Sequence, residues 1–209
     1  VEGENPYPGI LLPNLWPVEV PEFKQYGYQL YQELDQLGRR ILSILARFLE
    51  LPTHWFESQV SHGNSILRPL HYPPVTQLEP GQVRAAQHED INLITLLLGS
   101  EAAGLEIQRR DGQWHAVTTI PGTIVVNIGD MLQRLSNHRL PSTTHRVVNP
   151  ESAKASEPRY SIPFFMHPNP DMSLAVLPQC VDEENPNHYP ESITANEYLV
   201  QRLKEIQLL

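Results

Sequence analysis

Cysteine is almost absent from this sequence: Cys180 is the single one among 209 residues. One thiol cannot form an internal disulfide, and a chain without disulfides is typical of a reducing compartment. We therefore expect a cytoplasmic protein whose core is stable without disulfide bonds.

Basic residues and long hydrophobic runs are also scarce. Lys and Arg number 15 against 24 Asp and Glu, which gives a net charge of −9. Without a basic patch to neutralise phosphates, neither nucleic acid nor an anionic lipid surface is an expected partner. The longest apolar stretch, residues 91–99, is far too short to span a bilayer.

Glycine is outnumbered by proline, with 11 Gly against 20 Pro. Proline is excluded from helix interiors and central strands, so the chain must contain many short segments and turns. Five of these prolines lie in residues 1–21, which we expect to be an irregular, extended lead-in.

An apolar residue recurs every three or four positions after this lead-in and predicts one long helix over residues 22–50. Pro21 and Pro52 bracket it. Its expected core-facing stripe is Phe23, Tyr26, Leu30, Leu34, Leu37, Ile41, Ile44, Leu45 and Phe48.

The chain then becomes β-like, with candidate strands separated by turn dipeptides such as Asp111-Gly112. The strands are expected at residues 66–68, 91–98, 105–108, 115–119, 123–127, 145–148 and 159–165. Thr194 and Glu197 form a capping box that starts a final helix. The predicted class is mainly β with flanking α-helices around two antiparallel sheets.

Three residues carry the first sign of chemistry. His88 and Asp90 are two positions apart on β-like sequence and therefore point to the same side, while Glu89 points away. His145 begins another β-like run and can supply a third ligand. Two imidazoles and one carboxylate that leave open positions suit non-haem Fe(II).

A second pair with the same spacing suits an anion. Arg159 and Ser161 flank Tyr160 on a predicted strand, so a guanidinium and a hydroxyl share one face. Together they form a fork for a carboxylate, to which arginine donates bidentate hydrogen bonds.

The order His-x-Asp, His, Arg-x-Ser, together with the sequence around it, resembles the Fe(II)/2-oxoglutarate-dependent oxygenases of the isopenicillin N synthase-like family. The resemblance runs from about Gly9 to the C-terminus. The matching stretches are residues 67–68, 71–74, 86–90, 93–97, 104–108 with Trp114, 125–132, 136–137, 142–147 and 159–162.

The resemblance implies a double-stranded β-helix (jelly-roll) core. It places His88, Asp90 and His145 at the iron-ligand positions, with O2 as the oxidant. It also implies that Arg159 and Ser161 bind the distal carboxylate of 2-oxoglutarate, joined by Tyr72. The asparagine usual two residues before that tyrosine is Leu70 here.

The same resemblance sets three further expectations. The segment from Asn127 to Asp130 is expected to be a structural turn outside the site. His71 and His167 are candidates for lining the pocket. No residue beyond the metal ligands is expected to be catalytic.

Residues 1–60 are expected to form the lead-in and packing helix, and residues 61–209 the oxygenase domain. The family normally has a further N-terminal region before the long helix, which is not part of these 209 residues. We therefore expect residues 1–209 to be incomplete as a catalytic unit, with an apolar patch exposed.

The implied activity couples 2-oxoglutarate decarboxylation and O2 to hydroxylation, desaturation or cyclisation of a small organic substrate, by a monomeric dioxygenase. Two alternatives remain open. One is an isopenicillin N synthase-like oxidase that needs no 2-oxoglutarate. The other is a non-catalytic jelly-roll binding module.

Overall fold

The computed structural model describes residues 5–74, 83–98, 104–149 and 158–208. Helices and strands in this part of the chain follow in the order α1 (Glu22–Phe48), β1 (Ile66–Leu67), β2 (Leu70–Tyr72), β3 (Ala85–His88), β4 (Ile94–Leu98), β5 (Leu105–Gln108), β6 (Trp114–Ala116), β7 (Ile124–Ile128), α2 (Asp130–Leu135), β8 (His145–Val147), β9 (Arg159–Met166), a 3-10 turn (Pro178–Cys180) and α3 (Ala195–Glu205).

Two antiparallel sheets form the core, as the sequence predicts. In the larger sheet the strand order is β1-β9-β4-β7, and β2 also pairs with β9. In the smaller sheet the order is β3-β8-β5-β6. The mainly β class with flanking helices and a jelly-roll core is confirmed.

Helix α1 begins beside Pro21, whose φ of −61° is already helical, and carries Glu22 in its first turn. An acidic residue there interacts favourably with the helix dipole. The helix ends where Glu50 adopts a left-handed φ of 59° and Pro52 follows. The predicted helix over residues 22–50 is thus confirmed to within two residues.

The predicted stripe of α1 is confirmed in part: Leu34 is buried, and four more of its residues pack against the core, namely Leu30, Leu37, Ile41 and Leu45. The fully buried face of the helix differs from it. Its buried residues are Leu34, Gly38, Leu42 and Ala46, spaced four apart. By contrast Phe23, Tyr26, Ile44 and Phe48 are exposed.

Gly38 belongs to the buried face because helix α1 approaches the larger sheet closely at this residue. A Cβ added there would lie 2.5 Å from Met166 Sδ on β9 and 3.7 Å from Leu96 Cδ1 on β4. Small residues make such an approach possible, and a pattern read from large apolar residues overlooks them.

Strand β9 is the centre of the larger sheet, and its two faces have different neighbours. Phe164 and Met166 face α1: the Phe164 ring meets Tyr31 edge to face at 5.2 Å. Because side chains alternate along a strand, Arg159 and Ser161 lie on the opposite face, towards the smaller sheet. Helix α1 therefore covers the outer face of the larger sheet, and its inner face carries the polar residues.

The predicted β5–β6 hairpin is confirmed. Asp111-Gly112 lies in its loop, where Gly112 adopts a φ of 81°, and Gln108 pairs with Trp114. The capping box at α3 also forms, since Thr194 accepts from the Glu197 backbone and Glu197 accepts from the Thr194 backbone.

The sequence missed three short elements, β2, β3 and α2. Strands β2 and β3 have three and four residues, and α2 has six, too few for a periodic pattern to stand out. Within the described ranges, no helix combines the length and apolarity needed to cross a membrane.

The packing of α1 against the larger sheet can be tested by truncating one buried and one exposed residue of this helix. Leu42 is 0% exposed and Ile44 is 66% exposed. We expect Leu42→Ala to lower the free energy of unfolding by about 2–5 kcal/mol, since it leaves a cavity. Ile44→Ala should change it by less than about 0.5 kcal/mol. Urea unfolding measures both, and equal losses would contradict the packing described here.

Candidate functional site

The two predicted histidine ligands lie opposite each other on neighbouring strands of the smaller sheet. His88 ends β3, His145 begins β8, and the two residues are partners in the antiparallel register. Their ring centroids are 4.4 Å apart. The structure therefore brings together two residues that are 57 positions apart in the sequence.

Each imidazole is oriented by a backbone carbonyl two residues earlier in the chain. His88 Nδ1 lies 2.7 Å from the Ala86 oxygen, and His145 Nδ1 lies 3.0 Å from the Thr143 oxygen. A carbonyl can only accept, so Nδ1 carries a proton in both rings, and Nε2 is the nitrogen left to face a metal. Both histidines are thus set to bind a metal through Nε2.

Asp90 completes the cluster just after β3. Its Oδ1 lies 3.9 Å from His88 Nε2 and 3.7 Å from His145 Nε2. One ligand atom from each of the three residues lies within 4.8 Å of the other two, so the cluster could hold a metal ion. Among the described residues, His88, Asp90 and His145 form a group of three side chains with suitable metal-ligand atoms.

Glu89, between the two ligands, points away as expected. Its carboxylate accepts a hydrogen bond from the Thr144 hydroxyl, next to His145. This bond ties the end of β3 to the start of β8 and helps to fix the separation of the two ligand-bearing strands.

The second oxygen of Asp90 is held by two side chains that the sequence did not place in the site. Thr95 Oγ1 donates to Asp90 Oδ2 at 2.6 Å, and Asn127 Nδ2 donates to it at 2.9 Å. The expectation that Asn127 belongs to a turn outside the site is wrong. Asn127 lies on β7 opposite Thr95 on β4, a pairing that local sequence spacing does not reveal.

The predicted anion site is formed by β9 and β2. Arg159 is 4% exposed and Ser161 is 5% exposed, whereas Tyr160 between them is 59% exposed. Tyr72 pairs with Arg159 in the strand register, and its ring centroid lies 5.3 Å from the guanidinium carbon. The three predicted carboxylate-binding residues are therefore adjacent.

The Arg159 guanidinium has spare donors. Its Nε and Nη1 are buried without a hydrogen-bond partner among the described residues. Burial lowers the pKa of Arg159, and the Arg84 cation lowers it further, while Tyr72 raises it. A buried cation with unused donors is costly unless an anion binds it, and a carboxylate fits both features.

The two histidines proposed to line the pocket differ in position. His71 is exposed and stacks on Tyr160 at 4.7 Å, on the outer face of the sheet, so its predicted place is wrong. His167 is buried, and burial lowers its pKa to about 4. The nearby Asp90 charge acts on it in the opposite direction.

Known proteins share much of this chain's sequence. The model of the 2OG-Fe(II) oxygenase superfamily matches residues 63–168. The 2-oxoglutarate-Fe(II) type oxidoreductase hxnY of Emericella nidulans is 36% identical over 184 residues. That alignment covers 85% of this chain and 52% of the relative, so the chain spans about half of hxnY.

Solved structures share the fold over nearly the whole chain. A 2OG-Fe(II) oxygenase family protein from Caulobacter crescentus has a TM-score of 0.90 and 49% identity, covering 98% of this chain and 68% of that one. A full-length Neurospora crassa protein in complex with alpha-KG and thymine has a TM-score of 0.87 and 36% identity. That match covers 98% of this chain and 63% of the Neurospora crassa chain.

These matches agree with the resemblance inferred from the sequence motifs. The matched residues 63–168 include the His88, Asp90 and His145 cluster as well as Arg159 and Ser161. The chain belongs to the 2OG-Fe(II) oxygenase superfamily.

Proposed function

We propose that this protein is a non-haem Fe(II) dioxygenase that couples the decarboxylation of 2-oxoglutarate by O2 to the oxidation of a small organic substrate. The observation that carries the proposal is one juxtaposition. A cluster of two imidazoles and a carboxylate lies in the same double-sheet core as a buried arginine with unused donors.

His88, Asp90 and His145 would hold the iron. Two neutral imidazoles and one carboxylate on the same side of an ion are the donor set of non-haem Fe(II) oxygenases, and they leave positions open for other ligands. When bound, the iron supplies the redox chemistry with O2. The Nδ1–H groups of both histidines stay on backbone carbonyls and keep the rings in position.

Arg159, Ser161 and Tyr72 would bind the distal carboxylate of 2-oxoglutarate. Arg159 offers Nε and Nη1, and Ser161 lies two residues along on the same face of β9. Fixing this end of the co-substrate sets the direction in which its keto acid reaches the metal. The reaction then converts 2-oxoglutarate, O2 and the substrate to succinate, CO2 and a substrate that has taken up the second oxygen atom, as in a hydroxylation.

The proposed substrate is a small organic molecule. The Neurospora crassa structure includes thymine, and a relative from Petromyces alliaceus is called a proline hydroxylase, so related chains are associated with different compounds. The monomeric state, the lack of a nucleic-acid partner, the cytoplasmic location and the domain division at residue 60 stay predictions.

The metal site is tested by removing one ligand at a time. We expect one Fe(II) or Co(II) per wild-type chain, and a loss of affinity of more than about 100-fold in His88→Ala, Asp90→Ala and His145→Ala. His115→Ala is the matched control, because His115 is an exposed histidine on the same small sheet. Anaerobic titration followed by metal analysis measures this. Unchanged stoichiometry and affinity in all three variants would refute the proposed site.

The co-substrate site is tested at Arg159. A hydrogen-bonded contact between charged groups contributes about 1.5–3 kcal/mol, so Arg159→Ala should weaken 2-oxoglutarate binding by about 10- to 100-fold. Arg159→Lys keeps the charge but not the planar fork and should fall between the two. Metal binding should survive both changes. Anaerobic calorimetry on the Fe(II)-loaded protein measures binding, with exposed Arg110→Ala as the control.

The same protein separates the alternative functions when O2 is admitted with a panel of small substrates. Succinate formed from 2-oxoglutarate supports the dioxygenase. Consumption of O2 with a peptide-like substrate but without succinate would instead establish the oxidase. Metal binding with neither reaction would favour the binding module.

A further inference from the structure

The two oxygens of the Asp90 carboxylate have different surroundings. Oδ1 faces the Nε2 atoms of His88 and His145. Oδ2 accepts two hydrogen bonds, from Thr95 Oγ1 at 2.6 Å and from Asn127 Nδ2 at 2.9 Å. One oxygen is thus directed to the metal position, and the other is engaged by the protein.

Thr95 is itself held so that its proton points at Asp90. Asn92 Nδ2 donates to Thr95 Oγ1 at 3.1 Å and to the Ile94 carbonyl at 2.9 Å. The other acceptor near the Thr95 hydroxyl is Asn92 Oδ1 at 3.4 Å. The Asp90 carboxylate is both closer and charged, so it accepts the hydrogen bond from the Thr95 hydroxyl. Asn92 and Thr95 are buried, which removes competition from water.

The second donor arrives from the neighbouring strand. Thr95 on β4 and Asn127 on β7 are direct partners in the antiparallel register, so their side chains lie on the same face of the larger sheet. Both therefore reach Asp90 Oδ2 from the body of the sheet, while the two histidines approach Oδ1 from the smaller sheet. The carboxylate is clamped between the two layers.

A carboxylate can bind a metal through one oxygen or through both. In a six-coordinate centre, two histidines and one oxygen leave three positions, whereas a bidentate carboxylate leaves two. A chelating keto acid and O2 together need three. The number of Asp90 oxygens bound to the metal therefore decides whether enough coordination positions remain for both the keto acid and O2.

We infer that Thr95 and Asn127 are positioning residues that keep Asp90 in single-oxygen coordination by occupying its Oδ2. This inference rests on the proposed metal site and goes beyond it. It assigns a coordination-controlling role to two side chains that do not touch the metal. Asn92 supports it by orienting the Thr95 hydroxyl.

The test uses Mn(II) as the probe, because it accepts the same nitrogen and oxygen ligands and its bound waters relax solvent protons. The full chain is compared as wild type, Thr95→Val, Thr95→Ser, Asn127→Leu and the Thr95→Val/Asn127→Leu double variant. Thr123→Val is the matched control, because it removes an exposed hydroxyl that bonds the Ile120 carbonyl in a distant turn.

We expect wild type, Thr95→Ser and Thr123→Val to carry three exchangeable waters per bound Mn(II). The double variant should carry two, since Asp90 then binds through both oxygens, and its relaxivity per bound ion should fall by about one third. Its Mn(II) affinity should fall by about 10- to 100-fold, because the residues that orient Asp90 are lost. A side chain needed only for folding would alter stability without altering the water count per bound ion.

The outcomes separate this inference from the proposed function. If wild type binds no Mn(II), or if Asp90→Ala binds it equally well, the proposed metal site itself fails. If wild type binds Mn(II) with three waters and the variants do the same, the inference is overturned, whatever happens to affinity. Should the double variant not fold, Thr95→Val against Thr95→Ser decides by the same water count.

Discussion

The alternation of side chains along β9 is the constraint on which the rest of this structure depends. This strand pairs with β1, β2 and β4, so its backbone cannot rotate to exchange its faces. One face gives Phe164 and Met166 to the packing against α1. The other gives Arg159 and Ser161 to the interior between the sheets. A shift of one residue in register would bury Tyr160 in the site and turn Arg159 towards solvent.

Burying Asp90 has to be compensated in the same way as burying Arg159, but the two solutions differ. Asp90 is 6% exposed, and its Oδ2 is satisfied by the Thr95 and Asn127 donors. Arg159 is similarly buried but keeps two nitrogens without partners in the described chain. This difference supports the two proposals, a metal on Asp90 Oδ1 and a carboxylate on Arg159. Each buried charged group keeps atoms that could bind the proposed ligand: Asp90 Oδ1 for the metal, and Arg159 Nε and Nη1 for the carboxylate.

How much of this was readable from the sequence depended on spacing. The i, i+2 spacing of Arg159 and Ser161 reveals their shared face on β9 because strand periodicity is local. The same spacing pointed to His88 and Asp90, although Asp90 lies just after β3. His145 was a candidate third ligand from its place at the start of another β-like run, and the family resemblance supported it. The pairing of β3 with β8 explains how it meets His88. Asn127 was missed because its contact with Asp90 spans 37 residues and depends on the β4–β7 register. On the buried face of α1, Leu34 was predicted, whereas Gly38 and Ala46 were missed because they carry little hydrophobic signal, although small side chains allow close approach.

The outer face of β9 also bears on the energetics of the inner one. Two buried guanidinium nitrogens of Arg159, Nε and Nη1, have no hydrogen-bond partner among the described residues, and each missing bond costs about 1–3 kcal/mol. The packing of α1 on Phe164 and Met166 offsets this cost from the other side of the same strand, without touching the site. Binding an anion at Arg159 would relieve the penalty, so co-substrate binding and folding stability are linked through this strand. The long helix contributes no proposed ligand, yet its packing on Phe164 and Met166 supports the strand that carries the proposed carboxylate site.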